Sequence, residues 1–490
     1  MLFNSLHFLL FFPLVVAAYF GLPHRFRWML LLAASYYFYM CWNPVYAILI
    51  LTTTAIAYWS GLKMAQTEDL RRKKLYVTLS LVVSLGILFV FKYLNFTMTA
   101  VSDACNILQI DFQTPTFKLL LPVGISFYTF QTLSYSIDVY RGKKSVEKHF
   151  GIFAVYVSFF PQLVAGPIER STNLLPQFFE KHSFDYVRMC DGLKLMLWGF
   201  FKKLVIADRL SVYVNEVYNN PGDYTGWPVL LATYFFAFQI YCDFSAYSDI
   251  AIGSAQVMGF RLMDNFNRPY FSKSISEFWR RWHISLSTWF KDYLYIPLGG
   301  NRCSKQRWMA NLLFVFVVSG LWHGAAWTFI IWGALHGLYL MLEVLLKPAW
   351  SAVSTRTGLN RHKRILKFLQ VAGTFHLVLF SWVFFRANSL SDAMTLLSQM
   401  STLKLSVLVS PLSFLRNTLA PVALGTTGLL IAFASIGFME FIHFLQRHWR
   451  MRHMLSTKPL WVRWAIYYAM LFGIIMFGVF SNEQFIYFQF

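Results

Sequence analysis

Two histidines in this 490-residue chain sit where an ionisable ring is costly. His323 lies in the apolar run Ser319-Gly-Leu-Trp-His-Gly-Ala-Ala-Trp327, and His336 follows in Trp332-Gly-Ala-Leu-His336-Gly337. Ionisable residues inside membrane-length apolar runs are functional candidates by default, whereas the plainer reading of each is a core histidine satisfied by a neighbour. An imidazole ordinarily titrates near about 6.5, and burial disfavours its cation. A buried histidine is therefore a neutral base poised for work at neutral pH. Reactions that activate a hydroxyl need such a base, with a donor for any developing oxyanion. His323 fits the base. Thirteen residues turn a straight helix by about 220°, so one continuous helix would not present His323 and His336 together. The glycine after each histidine would let another backbone or a ligand come close.

A second concentration of chemistry runs from Asn265 to Arg302, NFNRPYFSKSISEFWRRWHISLSTWFKDYLYIPLGGNR. It is too charged to cross lipid alone and is densely aromatic. Read as one helix, Trp282, Leu286 and Trp289 form a stripe, and Trp279, His283 and Ser287 form another. Glu277 and Arg281 are spaced to pair across a turn. The plain reading is an amphipathic helix at the membrane interface. The chemical reading makes His283 an aid to proton transfer or substrate orientation, and Arg280, Arg281, Lys291 and Arg302 contacts for the phosphates of a substrate. Anchoring to lipid headgroups explains those four cations as well. Trp282 and Trp322 join them as candidate substrate-binding residues.

Asp243 and Asp249, in CDFSAYSDIAIG, are carboxylates in an apolar span, so each must be paired, protonated or in contact with water. Arg170 and Arg261 are the expected partners for a structural role. The five cysteines are scattered without CxxC or Cys/His metal spacing, which argues against a disulfide framework and a metal centre. There is no GxSxG elbow or P-loop, so a covalent serine mechanism has no support.

The elements that must position these residues follow from composition. Hydrophobic residues make up 57% of the chain and charged residues 13%, about half the charge of a soluble domain. Mean hydropathy is +0.48. Apolar runs of spanning length recur near 6–22, 28–42, 44–62, 75–94, 119–140, 192–206, 226–252, 310–345, 368–386, 420–442 and 465–481. The run at 310–345 is too long for one crossing and breaks near Gly324 or Gly333. The pattern predicts an all-α polytopic integral membrane protein in a single domain, 1–490. The N-terminus lacks a basic n-region and cleavage site, so it reads as a retained first span. The net charge of +21 collects in short loops, at 63–74, 141–148, 347–367 and 445–464, which marks topology rather than nucleic-acid binding. Cytoplasmic loops carry such charge, and span counts between the four loops agree, with both termini outside. Residues 150–190, with Pro161, Gly166 and Pro167, read as irregular and re-entrant.

RRWHISLSTWFKDYLYIPLGGNR, followed by GLWHGAAWTFIIWGALHG, resembles the membrane-bound O-acyltransferase (MBOAT) family, and its branch around the alginate O-acetyltransferase membrane subunit. LLPVGISFYTFQTLSYSIDVYRG (120–142), FFPQLVAGPIER (159–170), YCDFSAYSDIAIG (241–253) and NEQFIYFQF (482–490) extend the likeness over nearly the full length. The resemblance implies roughly a dozen membrane elements around a funnel or tunnel, with His323 at the family's invariant histidine and His283 at its second polar position. It implies acetyl-CoA or another acyl-CoA as donor substrate, no permanently bound cofactor, and a site in the bacterial cytoplasmic membrane. Its partners would be a separate extracytoplasmic SGNH-type acetyltransferase or polysaccharide assembly proteins. Rival readings are an acyltransferase for peptidoglycan, teichoic acid or lipid, a saccharide transporter, and a non-catalytic scaffold.

Overall fold

A computed structural model describes residues 1–110, 115, 117, 119–403, 411–447, 449, 451–480 and 485–486, with backbone alone at 411, 412, 417 and 453. Among them every regular element is helical. Seven helices are long and apolar enough to cross a bilayer: Pro44–Ala65, Leu70–Ile107, Trp227–Met258, Trp327–Arg356, Lys363–Arg386, Gly425–Leu445 and Leu460–Phe477. Leu6–Gly21 is shorter and equally apolar. A helix satisfies its own backbone, which is what lipid demands. Only 6% of the Leu460–Phe477 window is buried in protein, against 78% for Trp227–Met258; the first is a lipid-facing helix and the second a core helix. The chain is an all-α polytopic membrane protein.

Most expected spans coincide with helices, and the differences have local causes. The span expected at 75–94 belongs to a longer run, Leu70–Ile107, that contains a π turn at Phe89–Tyr93. The one at 192–206 is the end of helix Tyr186–Phe201 plus a π turn at Lys202–Ala207, after which helix Asp208–Asn219 continues. The long run at 310–345 is two helices, Lys305–His323 and Trp327–Arg356, broken at Gly324 in extended conformation. Residues 159–170 are irregular between helices Phe150–Ser158 and Ser171–Gln177, and Phe159, Phe160, Leu163 and Ala165 there are buried. Non-helical backbone at membrane depth survives only under such cover.

The described residues form two compact units, one of 1–196 with 247–264 and one of 197–246 with 265–490. Helix Trp227–Met258 runs from the second into the first. In the first unit, Phe159, Phe178 and Phe260 pack ring to ring, and Gly192 faces the Gly253 carbonyl so closely that a Cβ would stand 2.7 Å from it.

The second unit holds the three histidines. Its central feature is the antiparallel hairpin of Lys305–His323 and Trp327–Arg356. A Cβ on Gly320 would lie 2.2 Å from the Phe329 carbonyl oxygen, and one on Gly333 2.2 Å from that of Phe316. The two backbones therefore touch with no side chain between them, the small-residue packing that membrane helices favour. What approaches Gly324 is the Phe329 ring, and what approaches Gly337 is the opposite helix at Leu313.

Candidate active site

The aromatic block is not one helix. Ser274 caps a short helix, Ile275–Trp279, by accepting from the Glu277 N–H, while the Glu277 carboxylate reaches back to the Lys273 N–H, a reciprocal cap. The chain then turns through His283, whose φ of +42° is left-handed, and resumes as Ile284–Phe290 and a π turn, Lys291–Tyr295. For a non-glycine residue this backbone costs about 1–2 kcal/mol. Asn265 to Asn267 hold it from both sides: Asn267 N–H donates to the Arg281 carbonyl, Ile284 N–H to the Asn265 carbonyl, and Ser285 Oγ to the Asn265 side chain at 2.7 Å. The two expected stripes therefore do not exist as helical faces. Trp282 is fully buried, stacked on Phe278 and packed against Trp382, so the expected interfacial helix is a protein-buried corner. Aromatic area outweighs local propensity here.

That corner drives the His283 imidazole inward. It is 0% exposed, edge-on to Phe244 at 4.6 Å between centroids, and 6.4 Å from the ring of His323. His323, 2% exposed, ends the first hairpin helix and is walled by Trp322, Trp332 and Phe385 at 5.0, 5.0 and 5.4 Å. Trp322 also contacts His283. The structure thus brings His283, His323 and Trp322 together.

His336 is not turned away as a straight helix would require, because the break at Gly324 folds it back. Trp332 lies between it and His323, 5.0 Å from each. Both ring nitrogens of His336 are engaged. Trp279 Nε1 donates to Nδ1 at 3.3 Å, and Nε2 meets Ser381 Oγ at 2.9 Å. An indole N–H can only donate, so this network assigns the proton to Nε2. Ser381 donates onward to the Val378 carbonyl.

A cavity of about 450 Å³ lies beside this cluster, lined by Trp279, Arg280, Ile284, Lys291, Trp308 and Ser319 among others. Its inner end is at Ser319, one turn before His323, and Ile284, the residue after His283; neither imidazole itself lines it. Its other end, at Trp308, Glu343 and Val344, lies about 22 Å of helix from His323. Of the four expected phosphate contacts, exposed Arg280 and Lys291 line it. Arg281 instead pairs with Glu277. Burial opposes the Glu277 charge, but the Lys273 N–H and Arg281 outweigh it and hold that carboxyl below its ordinary value. Arg302 is exposed and does not line the cavity.

The expected pairing of Asp243 requires a correction. Asp243 pairs neither with Arg170 nor with Arg261. Its partner is Lys203, at 2.7 Å, which also binds Asp208 at 2.7 Å; Arg261 lies near Glu180. Asp249, half-buried, belongs to the other compact unit. Sequence reasoning missed Lys203, Asp208 and Asn265. A signal existed for the first two: Lys202-Lys203 and Asp208 interrupt an apolar run, the same anomaly that marks His323. Among the described residues no His, Cys, Asp and Glu gather as a metal site. Of the motif at 482–490, only Phe485 and Ile486 are among the described residues.

Residues 149–387 match the profile described as MBOAT, membrane-bound O-acyltransferase family. The chain is 43% identical to the probable alginate O-acetylase AlgI of Pseudomonas aeruginosa, over 80% of this chain and 73% of that protein. It is 36% identical to the peptidoglycan O-acetyltransferase of Helicobacter pylori, over 76% of this chain and 73% of that protein. A more distant match, 28% identical over 55% of this chain and 70% of the relative, is the teichoic acid D-alanyltransferase of Bacillus subtilis. A polytopic helical chain with relatives of this identity and coverage belongs to the membrane-bound O-acyltransferase family, in its alginate O-acetyltransferase branch, and is an O-acyltransferase.

Proposed function

We propose that this enzyme moves an acetyl or other short acyl group from acyl-CoA on the cytoplasmic side of a bacterial inner membrane to a hydroxyl of an exported polysaccharide. Transfer is direct or through an extracytoplasmic SGNH-type partner. The observation that carries the reading is the cavity, with Arg280 and Lys291 among its lining and with Ile284 and Ser319, the chain neighbours of the His283–His323 pair, at its inner end. The hairpin gives that cavity a side. Its outer residues Glu343 and Val344 lie near the basic stretch 347–367, assigned to the cytoplasm, whereas His323 is at the opposite hairpin tip. A donor whose phosphates meet cations at one end would present its thioester toward the histidines. His323, neutral when buried, takes the proton of the incoming hydroxyl as its oxygen attacks the thioester carbonyl. Collapse of the tetrahedral adduct breaks the carbon–sulfur bond, and the CoA sulfur leaves with that proton. His283 orients the carbonyl or assists the proton.

The alginate, peptidoglycan and teichoic acid in the relatives' names support an envelope or exported polymer as acceptor. The test is purified protein in liposomes with acetyl-CoA on the face bearing 347–367 and an oligosaccharide on the other. Free CoA thiol should appear, and acetyl ester should form across the membrane. Movement of saccharide with no thiol released would replace this reading with the transporter. Cysteines placed at Lys73, Lys143 and Lys363 should resist an impermeant thiol reagent in intact cells; labelling of any one would reverse the sidedness. The fourth basic loop's Arg450 is outside the described residues.

A further inference from the structure

Behind His283 the second unit buries a cluster of charge that the acyl-transfer chemistry does not use. Lys203 Nζ lies 2.7 Å from both Asp208 and Asp243, with the three side chains 10%, 2% and 4% exposed. Buried charges are costly unless their remaining bonding capacity is met. The other Asp243 oxygen accepts the N–H of Ile486 at 2.8 Å. Neighbouring Lys202 is occupied separately, donating to Ser245 Oγ at 2.7 Å. The C-terminal stretch is fastened to the same place twice more. Val479 N–H donates to the Leu204 carbonyl, within the π turn Lys202–Ala207, at 2.9 Å, and Arg209 donates to the Phe477 carbonyl at 2.6 Å. Such single-turn π segments recur at functional sites.

The residue after Asp243 carries the consequence. Phe244, 0% exposed, is the ring that stands edge-on to His283 at 4.6 Å, and Phe485 packs against Phe244 at 5.8 Å. We propose that Asp243 is a positioning residue for His283: the Lys203–Asp243 pair and the Ile486 amide fix Phe244 and Phe485, and Phe244 fixes the imidazole. The left-handed backbone at His283 is bracketed by Asn265 and Asn267 on one side, and the ring is bracketed by Phe244 on the other. Backbone and ring of the same residue are thus set by separate devices. This rests on acyl transfer at the His283–His323 pair.

The test uses full-length protein in liposomes and reads release of CoA thiol from acetyl-CoA. Asp243→Ala removes both the charge and the acceptor for the Ile486 N–H, whereas Asp243→Asn keeps an oxygen there. For Ala we expect kcat to fall about tenfold or more while donor KM stays within about twofold, the size of effect that one lost buried hydrogen bond can have on a barrier. Asn should restore kcat to within roughly threefold of wild type. Phe244→Leu, which leaves the charge cluster intact, should lower kcat in the same way as Ala. If Asp243→Ala does not accumulate, the Asn and Leu variants decide. Wild-type kcat in Phe244→Leu, or losses in all variants that only track the folded fraction, would overturn the positioning role. Wild-type protein that releases no thiol would overturn the acyl-transfer reading itself, and this role with it.

Discussion

The rings of His283 and His323 stand 6.4 Å apart at an interplanar angle of 62°, although forty residues of chain and two unrelated pieces of local structure separate them. One is delivered by a left-handed turn, the other by the last residue of a helix. Removing either ring should therefore cost chemistry rather than folding. His323→Ala should lower acylation by roughly a hundredfold to ten-thousandfold, as loss of a general base does, with membrane abundance and melting near wild type. His283→Ala should be severely impaired too. A well-folded His323→Ala protein that still acylates would leave the scaffold reading ahead.

His336 predicts the opposite balance. Its two nitrogens serve Trp279 and Ser381 in a fully buried setting, so His336→Ala leaves a buried indole N–H without that acceptor. Each such loss costs about 1–3 kcal/mol. Thermal melting in detergent should drop by several degrees, while kcat per folded molecule falls far less than in His323→Ala. Equal catalytic collapse in both variants would place His336 in the proton path.

Arg280 and Lys291 line the cavity and Arg302 does not. Arg280→Gln and Lys291→Gln should each raise donor KM, by roughly tenfold for one charged hydrogen bond, with kcat little changed. Arg302→Gln should leave both constants alone. If all three behave alike, the cations serve lipid headgroups rather than the donor.

What was readable in the sequence, and what was not, follows the range of the forces involved. The membrane helices and a break near Gly324 or Gly333 were legible because apolar length and glycine act locally, and the structure selects Gly324. His323 and His283 stood out as candidates because a costly residue in an apolar or aromatic setting needs a reason, and their rings do come within 6.4 Å. The turn at His283 was not legible, since a tryptophan stripe at helical spacing is indistinguishable from one broken to bury Trp282 against Trp382. Nor was the Lys203–Asp243 pair, because its partners lie forty residues apart and arginines offered nearer-seeming matches. The proximity of His336 to His323 was hidden by the assumption of a straight helix.

The two compact units are not consecutive in the chain, since Tyr247–Asp264 completes the unit that begins at Met1. Membrane chains are built in order, and domains tend to settle as they emerge. Here the first unit is unfinished when residues 197–246 are made, and it closes only after part of the second is already present. The ribosome therefore cannot deliver the halves one after the other. Splitting the gene at residue 196 should leave the first fragment without residues 247–264, which stay on the second, whereas a nick at a loop within 347–367 spares the interleaved region.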